Sequence, residues 1–342
     1  MNIKDVAKKA GVSVATISRV LNHPDTVSPT TKEHVLAIMK ELNYTPNWFA
    51  RGLNLNKTNV IALLIPNILN PIYTQIAKGV EDIAHQKGYN ILLCNTEENE
   101  SKEREYIEML LKRKVDGLIL TASLLNKKDI NKIKKRETPL VMIGKNKSSA
   151  KENMVFTDYI VGAYEATKHL VETGYRKIAY ISGVKHQIEN IEKQIGYEKA
   201  LKEFCLPVEK KYIIEGNNSI EGGYLAAKKL IQSKEIPEAI FAANDLMAVG
   251  AMDAIKTMGL RIPQDIAIVG FDNIDMSALV EPKLTTISQP VYKMGLIAAR
   301  LLFDNIESND EEENVQQEIF LQSKLKVRKS CGHEDRLREI FN

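Results

Sequence analysis

Cysteine is scarce in this 342-residue chain. Cys94, Cys205 and Cys331 are odd in number and far apart. That spacing excludes a disulfide framework and a zinc-type cluster, and is expected of a reducing compartment. No apolar run approaches the ~20 residues that span a bilayer; the longest, Val60 to Pro66, is strand-sized. The N-terminus is charged and reads as helix from Ile3, unlike a signal peptide, so a cytoplasmic protein is expected. The chain has no GxxxxGK[ST] phosphate loop, no GxGxxG after a strand, no GxSxG elbow and no HExxH. Its six histidines show no metal-ligand spacing. No catalytic residue, cofactor or metal is therefore expected. What is abundant is hydrophobic sequence, 44% of residues, in a chain long enough for two or three domains.

The net charge of +3 is unevenly placed. Residues 1–60 hold six Lys and two Arg against two Asp and two Glu, a net of +4, which leaves −1 for the remainder. Positive charge gathered on one segment is the footprint expected of phosphate contacts.

That segment has a pattern of its own. Ile3, Val6, Ala7 and Ala10 recur at helical spacing. Gly11 ends the helix, because a tight turn needs the positive φ that glycine adopts cheaply. Ser13 stands at the N-cap of a second helix that turns Ile17, Val20 and Leu21 inward. Its outer face shows Val14, Ala15, Thr16, Ser18, Arg19 and Asn22. Two helices joined by a glycine turn predict a helix-turn-helix. The short outer side chains let the helix lie in a major groove, with Arg19 reaching guanine and Val14 or Ala15 touching thymine methyls. Ser28-Pro29 starts a third helix, with Val35, Ile38, Met39 and Leu42 inside. Ser13, Ser18, Asn22, Ser28, Thr31 and Tyr44 are candidates for phosphate contacts, which position without specifying.

Asn47 reads as the cap of a helix of about two turns running to Asn54 or Leu55, weakened by Gly52 and marginal alone in water. It is expected to be disordered off DNA and to fold on it. The stretches IKDVAKKAGVSVATISRVLN and NYTPNWFARGL resemble the lactose-repressor (LacI/GalR) family of bacterial transcription regulators. The resemblance continues in pieces to about Ser330. It implies that Leu53 wedges into the minor groove and kinks the duplex, with Arg51 beside it on DNA. It also implies a homodimer on a pseudo-palindromic operator.

From Val60 onward short apolar runs alternate with amphipathic stretches. The runs are VIALLIP, YNILLC, GLILTA, PLVMIG, KIAYIS, YIIEG, AIFAAN and IAIVGF. Alternating strands and helices specify doubly wound parallel sheets. The expected architecture is a small all-α helix-turn-helix head plus an α/β periplasmic-binding-protein-like body with two doubly wound parallel-sheet lobes. The expected bounds are 1–46 for the head, 47–58 for a hinge helix and linker, 59–332 for the body and 333–342 for a tail. Lobe one takes about 59–158 and 285–317, lobe two about 159–284 and 318–332. Thr285 to Asn305 thus returns to the first sheet, and Glu318 to Arg328 to the second. Leu337, Ile340 and Phe341 make an apolar face too short for a tetramerising heptad helix, so a dimer is expected.

Polar residues stand at the carboxyl ends of the runs: Asn67, Asn95-Thr96, Thr121, Ser182, Asn244-Asp245 and Asp272-Asn273. Ligands of open α/β sheets bind at those ends, and amides, hydroxyls and a carboxylate suit a polyhydroxylated molecule. The family resemblance implies an effector site made of Asn70, Ile72, Tyr73, Lys145, Lys193, Asn218, Asn244 and Asp272. Lys193 and Asn218 depart from its usual arginine and aromatic residue. Lysine cannot make the paired bonds of a guanidinium, so an acidic sugar or sugar phosphate joins the neutral sugars as candidate effector. A lysine also stands at that position in the catabolite-control branch, whose co-regulator is a phosphorylated carrier protein. Tyr292 and Arg300 match that branch's protein-binding helix, whereas Val291 and Lys293 do not. The expected function is a DNA-binding repressor of carbohydrate-utilisation genes with a small-molecule effector. The phosphocarrier-controlled regulator is second, and a two-lobed sugar-binding or sugar-converting enzyme third.

Overall fold

The computed structural model describes residues 2–22, 24–44, 57–145, 152–308 and 316–332. The expectations for the 47–55 helix, Arg51, Leu53 and the 333–342 tail lie outside them. The chain forms two compact units, Met1–Asn59 with Lys114–Asp116, and Val60–Arg113 with Gly117–Asn342.

In the first unit, Asn2 and Asp5 form a reciprocal capping box at the start of α1 (Ile3–Ala10). Gly11 closes that helix at φ 65°. Helix α2 (Val14–Asn22) starts behind Ser13, whose hydroxyl accepts from the Thr16 amide at 3.1 Å. Helix α3 (Pro29–Glu41) is capped by Ser28, with proline in its first turn. Val6, Ala7, Ala10, Ile17, Val20, Val35 and Met39 bury a small core between the three helices.

The body holds two six-stranded sheets. The first contains β1 (Val60–Ile65), β2 (Asn90–Asn95), β3 (Gly117–Thr121), β4 (Leu140–Ile143), β5 (Asn153–Thr157) and β11 (Glu318–Leu321). Their order is β11-β5-β4-β3-β1-β2, with every neighbouring pair parallel. The second contains β6 (Ile178–Ser182), β7 (Ile213–Glu215), β8 (Ala239–Ala242), β9 (Ala267–Asp272), β10 (Thr285–Ser288) and β12 (Lys324–Lys326). Their order is β12-β10-β9-β8-β6-β7, parallel except for β12 against β10. The first lobe carries α4 (Pro71–Gln86), α5 (Glu100–Lys112), α6 (Lys127–Lys134) and α12 (Val291–Glu307). The second carries α7 (Tyr159–Glu172), α8 (Ile188–Glu203), α9 (Ile220–Ile231), α10 (Asp245–Thr257) and the short α11 (Met276–Leu279).

The strands after Leu284 depart from expectation. Thr285–Ser288 stays in the second sheet, paired with β9 from Thr285↔Val269 to Ser288↔Asp272. Its two buried threonines explain this. Thr286 donates its hydroxyl to the buried Asp245 carboxylate at 2.6 Å, and the Thr285 amide donates to Ser330 Oγ at 2.8 Å. Conversely, Glu318–Leu321 joins the first sheet beside β5, with Phe320 packed 5.9 Å from Phe156. Only Lys324–Lys326 of the expected last strand lies in the second. Strand β5 is absent from the eight apolar runs, because only Val155 and Thr157 of its five residues are buried. The chain thus passes between lobes near Asp158, at Gln289-Pro290 and at Gln322-Ser323.

Helices α4 and α12 pack at backbone distance through Gly79 and Gly295. A Cβ on Gly79 would lie 2.2 Å from the Tyr292 carbonyl oxygen, and one on Gly295 2.3 Å from that of Ile76. Gly295→Ala must therefore push the helices apart. A loss of ~1–3 kcal/mol is expected from overpacking of this kind, read as a lower melting temperature of the body. An unchanged melt would show that the pair separates without strain.

Candidate functional site

On the head, Val14, Ala15 and Arg19 are exposed along α2, while Thr16 and Ser18 are half-buried between that face and the core. Ile17 and Val20 fix the helix from behind. The hydroxyls of Ser13 and Thr16 lie 2.9 Å apart, and those of Ser28 and Thr31 2.8 Å apart. The two serines thus cap helices, and their exposed positions place both helix N-termini on the surface. Tyr44 packs against the head's core. Asn22 closes α2.

The body has a cleft between its lobes with an empty volume of about 550 Å³. Seven of the eight expected effector residues line it: Asn70, Ile72, Tyr73, Lys193, Asn218, Asn244 and Asp272. Lys145 lies instead in an adjoining cavity that shares Ala122, Tyr159 and Glu189 with the first. There its ammonium pairs with Glu192 at 2.8 Å and sits over the Phe156 ring. Of the polar strand ends, Thr121, Asn244 and Asp272 reach the cleft. Asn67 and Asn95 instead accept the Leu69 and Ile68 amides in the loop after β1. Asp245 is buried within lobe two, where Thr286 and the Ile274 amide hold it.

Each lining residue has a local reason to be where it is. Asn70 caps α4 by accepting the Ile72 amide at 3.1 Å, so that Ile72 and Tyr73 begin the helix at the cleft wall. Asn244 caps α10 through the Met247 amide at 2.8 Å and donates its amide to the Asn218 carbonyl at 3.3 Å. Lys193 is 4% exposed; it donates to the Ala243 carbonyl at 2.9 Å and lies 4.3 Å from the Phe271 ring centre. Asp272 ends β9 at φ 114°, a region that costs a non-glycine residue ~1–3 kcal/mol unless its surroundings hold it. Gln289 holds it, donating Nε2 to Asp272 Oδ1 at 2.8 Å. Thr157 in turn donates its hydroxyl to Gln289 Oε1 at 2.8 Å.

The sequence reading missed Glu98, Tyr159, Glu189 and Gln289 as lining residues. Glu98 lies in a loop of lobe one at φ 56°. It accepts the amides of Gln187 at 2.9 Å and Asn218 at 3.2 Å, both from lobe two. Burial raises its carboxyl above the ordinary range, against the lowering effect of those amides. Burial likewise pushes the Asp272 carboxyl from 3.8 up to about 7, with Glu189 adding to the rise and Lys193 opposing it. The position of Gln289 beside a Pro at a lobe crossing was the one sequence signal available for it. Glu98 had none.

Two family models match the chain. One, described as "Bacterial regulatory proteins, lacI family", covers residues 2–47. The other, "Periplasmic binding proteins and sugar binding domain of LacI family", covers residues 58–327. The chain belongs to the LacI family. It is a DNA-binding transcriptional regulator with the family's helical head and two-lobed α/β body. The chain is 39% identical over 303 residues to catabolite control protein A of Priestia megaterium, covering 88% of this chain and 91% of that protein. It is 35% identical over 329 residues to the transcriptional repressor PurR of Histophilus somni, covering 96% and 98%. The lac repressor dimer bound to operator and an anti-inducer superposes with a TM-score of 0.84 at 28% identity, covering 97% and 99%. A complex of the regulator CelR with cellobiose superposes at 0.73 and 30% identity, covering 96% and 99%.

The raised carboxyl of Asp272 sets a pH dependence. Between pH 4 and 7 the folded chain keeps a proton that the unfolded chain has lost. The stability from this group is full below about pH 4 and is lost as pH rises through 7. Asp272→Asn removes the effect. Relative to the native chain, the variant is expected to gain ~1–3 kcal/mol on going from pH 4.5 to 7.5, as measured by melts at both pH values. A difference independent of pH would place the titration elsewhere.

Proposed function

We propose that this regulator is a cytoplasmic homodimeric repressor that reads a pseudo-palindromic operator and is switched by a polyhydroxylated metabolite bound in the cleft. The single observation that carries the reading is the cleft itself. Amides, hydroxyls and carboxylates from both lobes converge on one cavity, and Glu98 of one lobe is bonded to Gln187 and Asn218 of the other. A ligand there changes the free energy of lobe closure. It shifts the DNA-binding equilibrium only by its differential affinity for the two closures, and operator must change ligand affinity by the same factor. The CelR–cellobiose complex gives a precedent for a sugar in such a body.

On DNA, Arg19 is the main base reader, helped by Val14, Ala15 and Thr16. Ser13, Ser18, Asn22, Ser28, Thr31 and Tyr44 take phosphates, and Arg51 with Leu53 engages the minor groove at the dyad. A second reading, control by a protein co-regulator on α12, is supported by the exposure of Tyr292, whose hydroxyl donates to Asp82 at 2.8 Å.

Selection of duplexes from a random pool with the full-length chain tests the DNA reading. Enrichment of a palindrome is expected, and Arg19→Ala should weaken that site about 5- to 150-fold, equivalent to ~1–3 kcal/mol for a guanine contact. Binding to random duplex should change far less. No enrichment over random sequence would overturn the proposal.

A further inference from the structure

The charges facing the cleft are unbalanced. Among the described residues, the carboxyls of Glu98, Glu189 and Asp272 line it against the ammonium of Lys193, and Asp272, held largely protonated below about pH 7 by burial, becomes a further negative charge when a cation approaches. That ammonium is already engaged by the Ala243 carbonyl and by the Phe271 and Tyr159 rings. Its field acts on Asp272. Lys145, in the next cavity, is committed to Glu192. His186, on the exposed loop before α8, is the other positive influence on Glu98. Glu189, in the first turn of α8, lies within electrostatic reach of both Glu98 and Asp272, and raises the carboxyl of each. A second feature points to a ligand independently of charge. Thr121, at the end of β3, lines the same cavity and is 5% exposed, and its buried hydroxyl has no hydrogen-bond partner among the described residues. A buried polar group of this kind calls for a partner, because leaving it unsatisfied costs free energy.

We propose that the effector carries a protonated amine as well as hydroxyls, the amine facing Glu189 and Glu98 and one hydroxyl meeting Thr121. This rests on the reading of the cleft as the effector site. A ligand bearing a carboxylate or phosphate would add negative charge to a cavity with an excess of it, in a site where charges are poorly screened. A neutral polyol can satisfy Thr121 and hydrogen-bond the carboxyl groups, but brings them no countercharge. An aminated polyol does both. Because burial raises the Glu98 and Asp272 carboxyls, neutralisation by a bound ammonium ionises them further. Binding should then release protons near pH 6.5.

The test is calorimetric titration of the full-length chain at pH 6.5 with three matched sets: glucose, galactose and mannose, their 2-amino analogues, and their uronates. At least one amino sugar is expected to bind at least tenfold tighter than its neutral parent and its uronate. Its heat should depend on the ionisation enthalpy of the buffer, as proton release requires. Glu189→Gln should cut that preference about tenfold, and the conservative Glu189→Asp should keep part of it. If a neutral sugar or uronate binds tightest and changes operator affinity, the amine proposal falls and the cleft reading stands. If an amino sugar binds equally well to the native chain and to Asn244→Leu, the cleft reading itself falls. Binding by no member of the panel would also overturn the amine proposal.

Discussion

A short chain of hydrogen bonds, from Thr157 through Gln289 to Asp272, ties the cleft to the segments that join the lobes. Thr157 closes the last strand before the first lobe crossing, and Gln289 lies in the second. Asp272 ends the central β9 strand and lines the cleft. All three side chains are at least nine-tenths buried, so none can exchange its partner for bulk water cheaply. The crossings therefore fix the orientation of a carboxyl group that lines the cleft. In the proposed switch, a ligand that moves that group acts on the crossings.

The opposite rim supplies the second constraint. Glu98 reaches from lobe one to the amides of Gln187 and Asn218 in lobe two. Its carboxyl is raised by burial, so the rim contact is electrostatically costly as well as hydrogen-bonded. Among the described residues the head has a core of its own, from Val6 to Met39. The head and the two-lobed body are separate packing units.

Much of this was legible in the sequence because it rested on periodicity. The head's three helices follow from apolar spacing, from Gly11 and from the caps Ser13 and Ser28, and all three appear as expected. Strands inside the sheets show as unbroken apolar runs, and so do the edge strands β2 and β7, which are only partly buried; all eight form. What failed was β5 and the segments whose place depends on long-range partners. Strand β5 alternates weakly. Thr285 and Thr286 look polar, yet Asp245 and Ser330 fix them in lobe two. In the cleft, residues at strand ends or helix caps were readable, whereas Glu98 and Glu189 come from loop and helix positions that no local pattern marks. The place of Lys145 in the adjoining cavity follows from its pairing with Glu192, a partner distant in sequence that no local pattern shows.

If cleft and operator are coupled as proposed, the Thr157–Gln289–Asp272 chain is the path by which a cleft ligand acts on the lobe crossings. The direct measurement is the ratio of operator affinities with and without a cleft ligand, for the native chain and for Gln289→Leu. The ratio is expected to fall toward one in the variant while ligand-free operator affinity is retained. An unchanged ratio, with the ligand still bound, would contradict it.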